Sequence, residues 1–180
     1  RIGDALLDPA RREELQSQIE EGYFDLVVAT PPCNTCSRLL FCGRPSPKPL
    51  RNHQHPRGFP WMRGHSKATI DDNRRILAFS VAALESTLEA DKKDKRRTTR
   101  ILMEHPEDMG SAAAGGPASA WQLETVREIL KVAEESGRKA YTGAFRQCEV
   151  ALTDHAKPTR FITPVSQRMT PSTWVGQRSK

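Results

Sequence analysis

Residues 25–38 read DLVVATPPCNTCSR. Leu26, Val27, Val28 and Ala29 form an unbroken apolar, β-branched-rich run, the pattern of a strand buried on both faces of a parallel sheet. Pro31 and Pro32 must lie beyond its end, because proline has no N–H to give to a central ladder. The chain therefore leaves a rigid strand on two prolines and at once offers a thiol, Cys33, with a second, Cys36, three positions on. Three readings compete for these cysteines: a metal or redox pair, a nucleophile, or two small buried apolar side chains.

Working outward, Gly3-Asp4-Ala5-Leu6-Leu7 reads as the end of a strand or the turn after one. Residues 9–21 form a short amphipathic helix, with Pro9 at its start, Leu15 and Ile19 at helical spacing and Gly22 closing it. Residues 33–68 are a long irregular segment rich in Pro and Gly, carrying Arg38, Arg44, Lys48, Arg51, Arg57, Arg63 and Lys67. Segments of that length inside a compact domain are functional or disordered. Ile76, Leu77, Phe79, Val81 and Leu84 mark a helix from about residue 69 to 88, and the charged run 91–100 is a solvated connector. Ile101-Leu102-Met103 is a second short apolar strand, ending on Glu104-His105-Pro106. A Gly/Ala/Ser-rich loop at 107–117, a helix at 118–136 and weaker strand signals at 140–142 and 159–162 follow.

This alternation predicts an open α/β fold, a three-layer Rossmann-like sheet with mostly parallel strands. In such sheets the ligand lies outside the carboxyl ends of the strands. Gly3-Asp4, Pro32-Cys33 and Glu104-His105-Pro106 each end a strand on a polar group, so all three are expected at one rim.

The totals are consistent with one domain. The chain has 180 residues, enough to bury a real core. It has no run near the roughly 18 uninterrupted apolar residues of a membrane helix, and no apolar signal-peptide core. Because it begins at Arg1 rather than Met, it is expected to be a piece of something longer. The formal charge of +6 favours a polyanionic partner. Three of the four cysteines crowd into ten positions, which suits free or metal-bound thiols in an intracellular setting, the nucleus if the source is eukaryotic, more than a disulfide framework.

A thiol becomes a strong nucleophile when cations or a helix N-terminus favour its thiolate, and Arg38 is close to Cys33 in sequence. Glu104, at the end of the neighbouring strand, can donate or accept a proton on a bound ring. Thiol and carboxyl at one rim suit chemistry on an electron-poor ring: the thiolate adds and the acid protonates.

At these residues the sequence resembles the C5-cytosine DNA methyltransferases: GD at 3–4, DLVVATPPCNTCSR at 25–38 and MEHPED at 103–108, in the family's order and approximate spacing. The strings GRPSPKPLR, HPRGFPW, EHPEDMG, PASAWQ, QCEVA and KPTR are closer to a divergent branch carried by mobile elements and by protist or algal proteins. The resemblance covers about residues 1–163, with 164–180 as a tail, and implies a partial, N-terminally truncated catalytic domain. It implies S-adenosylmethionine as methyl donor and a cytosine flipped out of DNA, with RNA as the alternative. Cys33 would attack C6, Glu104 would hold N3, and Arg160 would lie near O2. Asp4, Pro31 and Leu77 would contact the cofactor. Ser37, Arg38, Arg44, Arg51, Arg57, Arg63 and Lys67 would contact DNA, the basic residues of the 33–68 loop meeting phosphates as it closes over the duplex. Cys36 stands where the family carries an aromatic residue, so packing is its expected role. The sequence departs from the family at His105, which replaces an asparagine, and at Arg75, which replaces a glycine. It also starts after the point where the glycine-rich cofactor loop should lie.

Three other readings remain. Cys33, Cys36 and Cys42 with His53, His55 or His65 have ligand-like spacing for zinc. An amino-methyltransferase also places two prolines after a strand, but follows them with an aromatic residue where this chain has Cys33. A catalytically inactive remnant would keep the fold and bind nucleic acid through the basic loop.

Overall fold

The computed structural model describes residues 5–41, 47–93, 99–108, 116–135, 139–146 and 157–165. Asp8 opens the first helix by accepting the Ala10 N–H at 3.0 Å, and Pro9 occupies the first turn, where its missing N–H costs nothing. This helix, α1 (Pro9–Glu20), is followed by β1 (Leu26–Ala29) and a short 3₁₀ turn (Arg38–Phe41). The long helix α2 (Gly64–Lys93) leads to β2 (Arg100–Pro106). A second 3₁₀ turn (Ala120–Gln122) precedes α3 (Glu124–Glu135), β3 (Lys139–Arg146) and β4 (Pro158–Val165).

The four strands form one open sheet in the order β1-β2-β4-β3. β1 and β2 are parallel, with Leu26 opposite Arg100 and Ala29 opposite Met103. β4 runs antiparallel to both β2 and β3. The fold is mixed α/β, as expected, but among the described residues the sheet is mostly antiparallel, which corrects the mostly parallel expectation. The reason lies in the connections. α3 intervenes between β2 and β3, and β3 runs in the same direction as β2. No helix is described between β3 and β4, and β4 returns in the reverse direction to fill the slot between them.

Residues alternate across the sheet with period two. Ile101, Met103 and Ile162 face the helices and are fully buried with Leu77, Val81, Leu84 and Leu88 of α2, and with Trp121, Val126 and Ile129. Val27 and Ala29 pack against the same core. The opposite face of β1 is open: Leu26 is 57% exposed and Val28 56%. The expectation of a strand buried on both faces is therefore corrected: among the described residues β1 is an edge strand and nothing covers its outer face.

Helix boundaries differ from the sequence pattern in two places. α2 begins at Gly64 and takes in Asp91-Lys92-Lys93, so part of the charged connector is helical. The helix expected from residue 118 starts at Glu124, because Ser119 caps a separate 3₁₀ turn and Leu123 is extended (φ −68°, ψ 133°). Trp121 on that turn donates its indole N–H to the Pro106 carbonyl at 2.8 Å, fixing the end of β2 to the core. No helix among the described residues is long and apolar enough to cross a membrane.

Leu84, a fully buried residue of α2, reports on this core. Leu84→Ala is expected to lower the free energy of unfolding by about 2–5 kcal/mol through lost transfer and cavity terms. Urea titration followed by circular dichroism reads the shift.

Candidate functional site

β1 and β2 are parallel, so their carboxyl ends lie at one rim. There the chain turns sharply after the prolines: the Cys36 N–H donates to the Cys33 carbonyl at 2.9 Å. Pro31 is buried and Cys33 half-buried. From the neighbouring strand Glu104 projects from the sheet face opposite the helices, since Met103 and His105 on either side of it are buried in the core.

A third group joins them. Lys157, just before β4, donates from Nζ to Cys33 Sγ at 3.8 Å and lies 3.6 Å from Glu104 Oε1. One ammonium thus faces both the thiol and the carboxylate. Glu104 Oε1 is buried and accepts no hydrogen bond, and its ion pair with Lys157 is longer than a hydrogen bond. An orphaned carboxylate oxygen beside a thiol and a cation is chemically suited to hold a polar edge of a planar ligand. Lys157 opens the KPTR string, but nothing in the sequence assigns it a role. It lies 124 residues from Cys33, and the only local signal is a lysine immediately before the strand that opens on Pro158.

The turn that carries Cys33 is held by a buried polar hub. Thr35 Oγ1 accepts from Arg51 Nε at 2.9 Å, from Arg51 Nη2, and from Asn73 Nδ2 at 3.1 Å. Asn73 also donates to Asn34 Oδ1 at 2.8 Å. The expectation that Arg51 meets DNA is corrected: it is 3% exposed and spent on Thr35 and the Pro56 carbonyl. Burial lowers its affinity for a proton, Cys36 opposes that shift and Arg74 adds to it. Burial pushes the Cys36 thiol up, with Arg51 pulling it back and Cys33 adding to the rise, so Cys36 is a protonated packing residue, as its position suggests.

His105, on the core side of β2, is 1% exposed and stacks edge-on to Trp121 with centroids 6.3 Å apart. Its pKa is lowered to about 4, first by burial and then by the charges of Arg51 and Lys157. It is therefore neutral, and its Nδ1 has no hydrogen-bond partner.

Not every expected residue converges. Arg160 pairs with His105 across the β2–β4 ladder, which puts it on the helix side of the sheet, away from Glu104. Its Nε bonds both oxygens of Glu107, at 2.9 and 2.8 Å, and Nη1 bonds Thr142. Leu77 is a core residue, 6% exposed, at the edge of a cleft of about 480 Å³ that Arg57, Arg75 and Ala78 also line. Asp4 and Arg44 lie outside the described residues. Ser37 is half-buried, and Arg38 opens the first 3₁₀ turn. Arg57, Arg63 and Lys67 are exposed, Lys67 pairing with Asp71. Among the described residues no three His, Cys, Asp or Glu side chains converge as a metal would need, and Cys42 lies outside them.

Two measurements follow from this arrangement. Because the folded-state pKa of His105 lies below its ordinary 6.5, the unfolded chain takes up a proton that the native state refuses as pH falls from 6.5 towards 4. That component of stability, about 3 kcal/mol, is present at pH 7 and is lost through this window. The fall in unfolding free energy between pH 7 and 4.5 is expected to be smaller in His105→Asn than in the unaltered chain. Thr35→Val, which strands the Arg51 and Asn73 donors, is expected to cost about 2 kcal/mol in the same urea assay.

No protein family, curated protein or solved structure matches this chain, so the functional reading rests on the geometry around Cys33, Glu104 and Lys157.

Proposed function

We propose that this rim addresses cytosine in DNA, as the base-activating part of a C5-cytosine methyltransferase site whose methyl donor is S-adenosylmethionine. The observation that carries the reading is the single Lys157 ammonium 3.8 Å from Cys33 Sγ and 3.6 Å from the orphaned Glu104 Oε1. RNA presents the same ring, and DNA is the expected substrate.

The chemistry is nucleophilic catalysis with proton transfer. The Cys33 thiol gives its proton to solvent, its sulfur bonds to C6 of the ring, and the C5–C6 electron pair moves to C5 as Glu104 gives a proton to N3. C5 then takes an electrophile. Solvent water takes the original C5 hydrogen as a proton, the pair that bound it returns to the ring and expels the sulfur as thiolate, and N3 gives its proton back to Glu104. Lys157 meets the sulfur and the carboxylate when each carries negative charge, so its position serves both ends of the cycle. The Thr35 hub keeps the thiol pointed across the strand ends.

The residues expected to hold S-adenosylmethionine do not form its cradle among the described residues. Leu77 is taken up by the helix–sheet core and Pro31 by burial at the strand end. That observation favours a second reading, a nucleic-acid-binding remnant. The finer fold we propose is a Rossmann-like, three-layer methyltransferase sheet continuing beyond β1. Its support is the open edge of β1, with Leu26 and Val28 more than half exposed on the uncovered face.

Base activation can be tested without the donor, because C5 then takes a proton from water and the ring exchanges its C5 hydrogen. DNA tritiated at cytosine C5 is expected to release tritium to water in the presence of the chain. Cys33→Ala should abolish release and Glu104→Gln should slow it by about 10²–10⁴-fold. Lys157→Met should slow it as well. DNA that binds but releases no tritium above a protein-free control would overturn base activation in favour of the remnant.

A further inference from the structure

The segment between the Cys33 turn and α2 is expected from its sequence to act through its charges, yet its described residues also hold an aromatic cluster. Phe59 and Trp61 stack with centroids 4.8 Å apart and planes 11° from parallel. His55 meets both rings edge-on, at 5.6 and 5.8 Å. Trp61 is nonetheless 66% exposed. An indole with one face on a phenyl ring and most of its surface in water costs hydrophobic free energy unless something covers it.

The platform is preformed. The Phe59 N–H donates to the Leu50 carbonyl at 3.2 Å, and the Met62 N–H donates to the Phe59 carbonyl at 3.2 Å. The Gly58 N–H donates to the His55 carbonyl at 3.0 Å, and the His55 N–H donates to Asn52 Oδ1 at 2.8 Å. Gly58 has φ +103°, and a Cβ there would lie 2.8 Å from Met62 Cε and 2.9 Å from Cγ2 of Ile70, a buried residue of α2. Only glycine allows the loop to sit that close to the helix. The rings are therefore held on a rigid element rather than on a free loop, which lowers the entropy lost on binding.

Exposed cations flank the rings in sequence: Arg57 and Arg63. Arg63 is itself tied to the loop through the Pro60 and Met62 carbonyls, at 3.2 and 2.8 Å. A flat aromatic surface with cations next to it in the chain suits one class of partner, since a nucleobase stacks on the ring while its phosphates meet the cations. A paired duplex keeps its base faces stacked on one another and cannot use the ring, whereas an unpaired strand can.

We infer that Trp61, backed by Phe59, is a base-stacking platform for an unpaired segment of nucleic acid. The inference rests on the reading of nucleic acid as partner but not on methyl transfer. It assigns to residues 55–63 a role that phosphate contacts alone would not require.

The test uses the full 180-residue chain and a fluorescein-labelled oligothymidine, with a duplex of mixed sequence as comparison. Oligothymidine is expected to quench tryptophan emission in the unaltered chain, and the quenched component should be missing in Trp61→Phe. By anisotropy, Trp61→Ala should bind the single strand about tenfold more weakly, while Trp61→Phe, which keeps a ring, should stay within about threefold. Duplex affinity should not respond to Trp61→Ala. Arg63→Ala should weaken both and reduce the salt slope by about one.

Equal single-strand affinity in Trp61→Ala and the unaltered chain would overturn the platform, as would equal losses for single strand and duplex, or no binding of either. Loss of self-association in Trp61→Ala with unchanged DNA affinity would also overturn it and give the ring to a contact between copies. Tritium release from C5 that persists in Trp61→Ala with unchanged DNA affinity would sink the platform alone. Platform binding without tritium release would sink base activation alone.

Discussion

The parallel pairing of β1 with β2 is the constraint on which the site depends. Two strands that run the same way need a crossover between them, and α2 supplies it while burying Leu77, Val81 and Leu84 against the sheet. Because both strands point to one rim, the thiol after β1 and the carboxylate at the end of β2 become neighbours although they are 71 positions apart in the chain. β4 then enters antiparallel, so its beginning lies beside the end of β2: the Glu107 N–H donates to the Pro158 carbonyl at 3.1 Å. That reversal brings Lys157 between Cys33 and Glu104. A parallel β4 would have left its first residues at the far end of the sheet.

The two faces of the sheet divide the labour. On the helix side, β2 buries Ile101, Met103 and His105, and the low proton affinity of His105 reflects how completely that side excludes water. On the other side stand Glu104 and the exposed Leu26 and Val28 of β1. The candidate site residue Glu104 lies on the less covered face, while packing on the opposite face holds the strands in register.

Charge alone is a poor guide to which residues are available. Arg51 sits in a run of basic residues that reads as a solvated or DNA-facing loop, yet it is buried and holds Thr35, with Asn73 bonding the same hydroxyl from α2. A buried guanidinium is tolerated only when its donors are satisfied, so its hydrogen bonds to Thr35 and Pro56 bind the loop to the Cys33 turn. Arg57 and Arg63, in the same run, remain exposed and flank the aromatic pair in sequence. The described residues of the segment thus meet α2 at a polar anchor, Thr35 with Asn73, and at a close approach, Gly58 against Ile70.

The features legible in the sequence are local ones. The apolar run at 26–29, the prolines that must follow it and the strand ending on Glu104 are written in neighbouring residues, because strand pattern and proline geometry act over a few positions. Cys33 and Glu104 can be named as partners once both strands are read as ending at one rim, and the weak strands near 140 and 160 are also visible. Strand direction beyond β2 is not, since apolar alternation is the same in either direction. It took the packed fold to establish that β4 runs backwards, that Lys157 rather than Arg160 faces the thiol, that β1 keeps an open face, and that Arg51 is buried while Trp61 is not. Each of these depends on which distant segment lies alongside, and that is settled by the packing of the whole sheet against its helices rather than by any single stretch of chain.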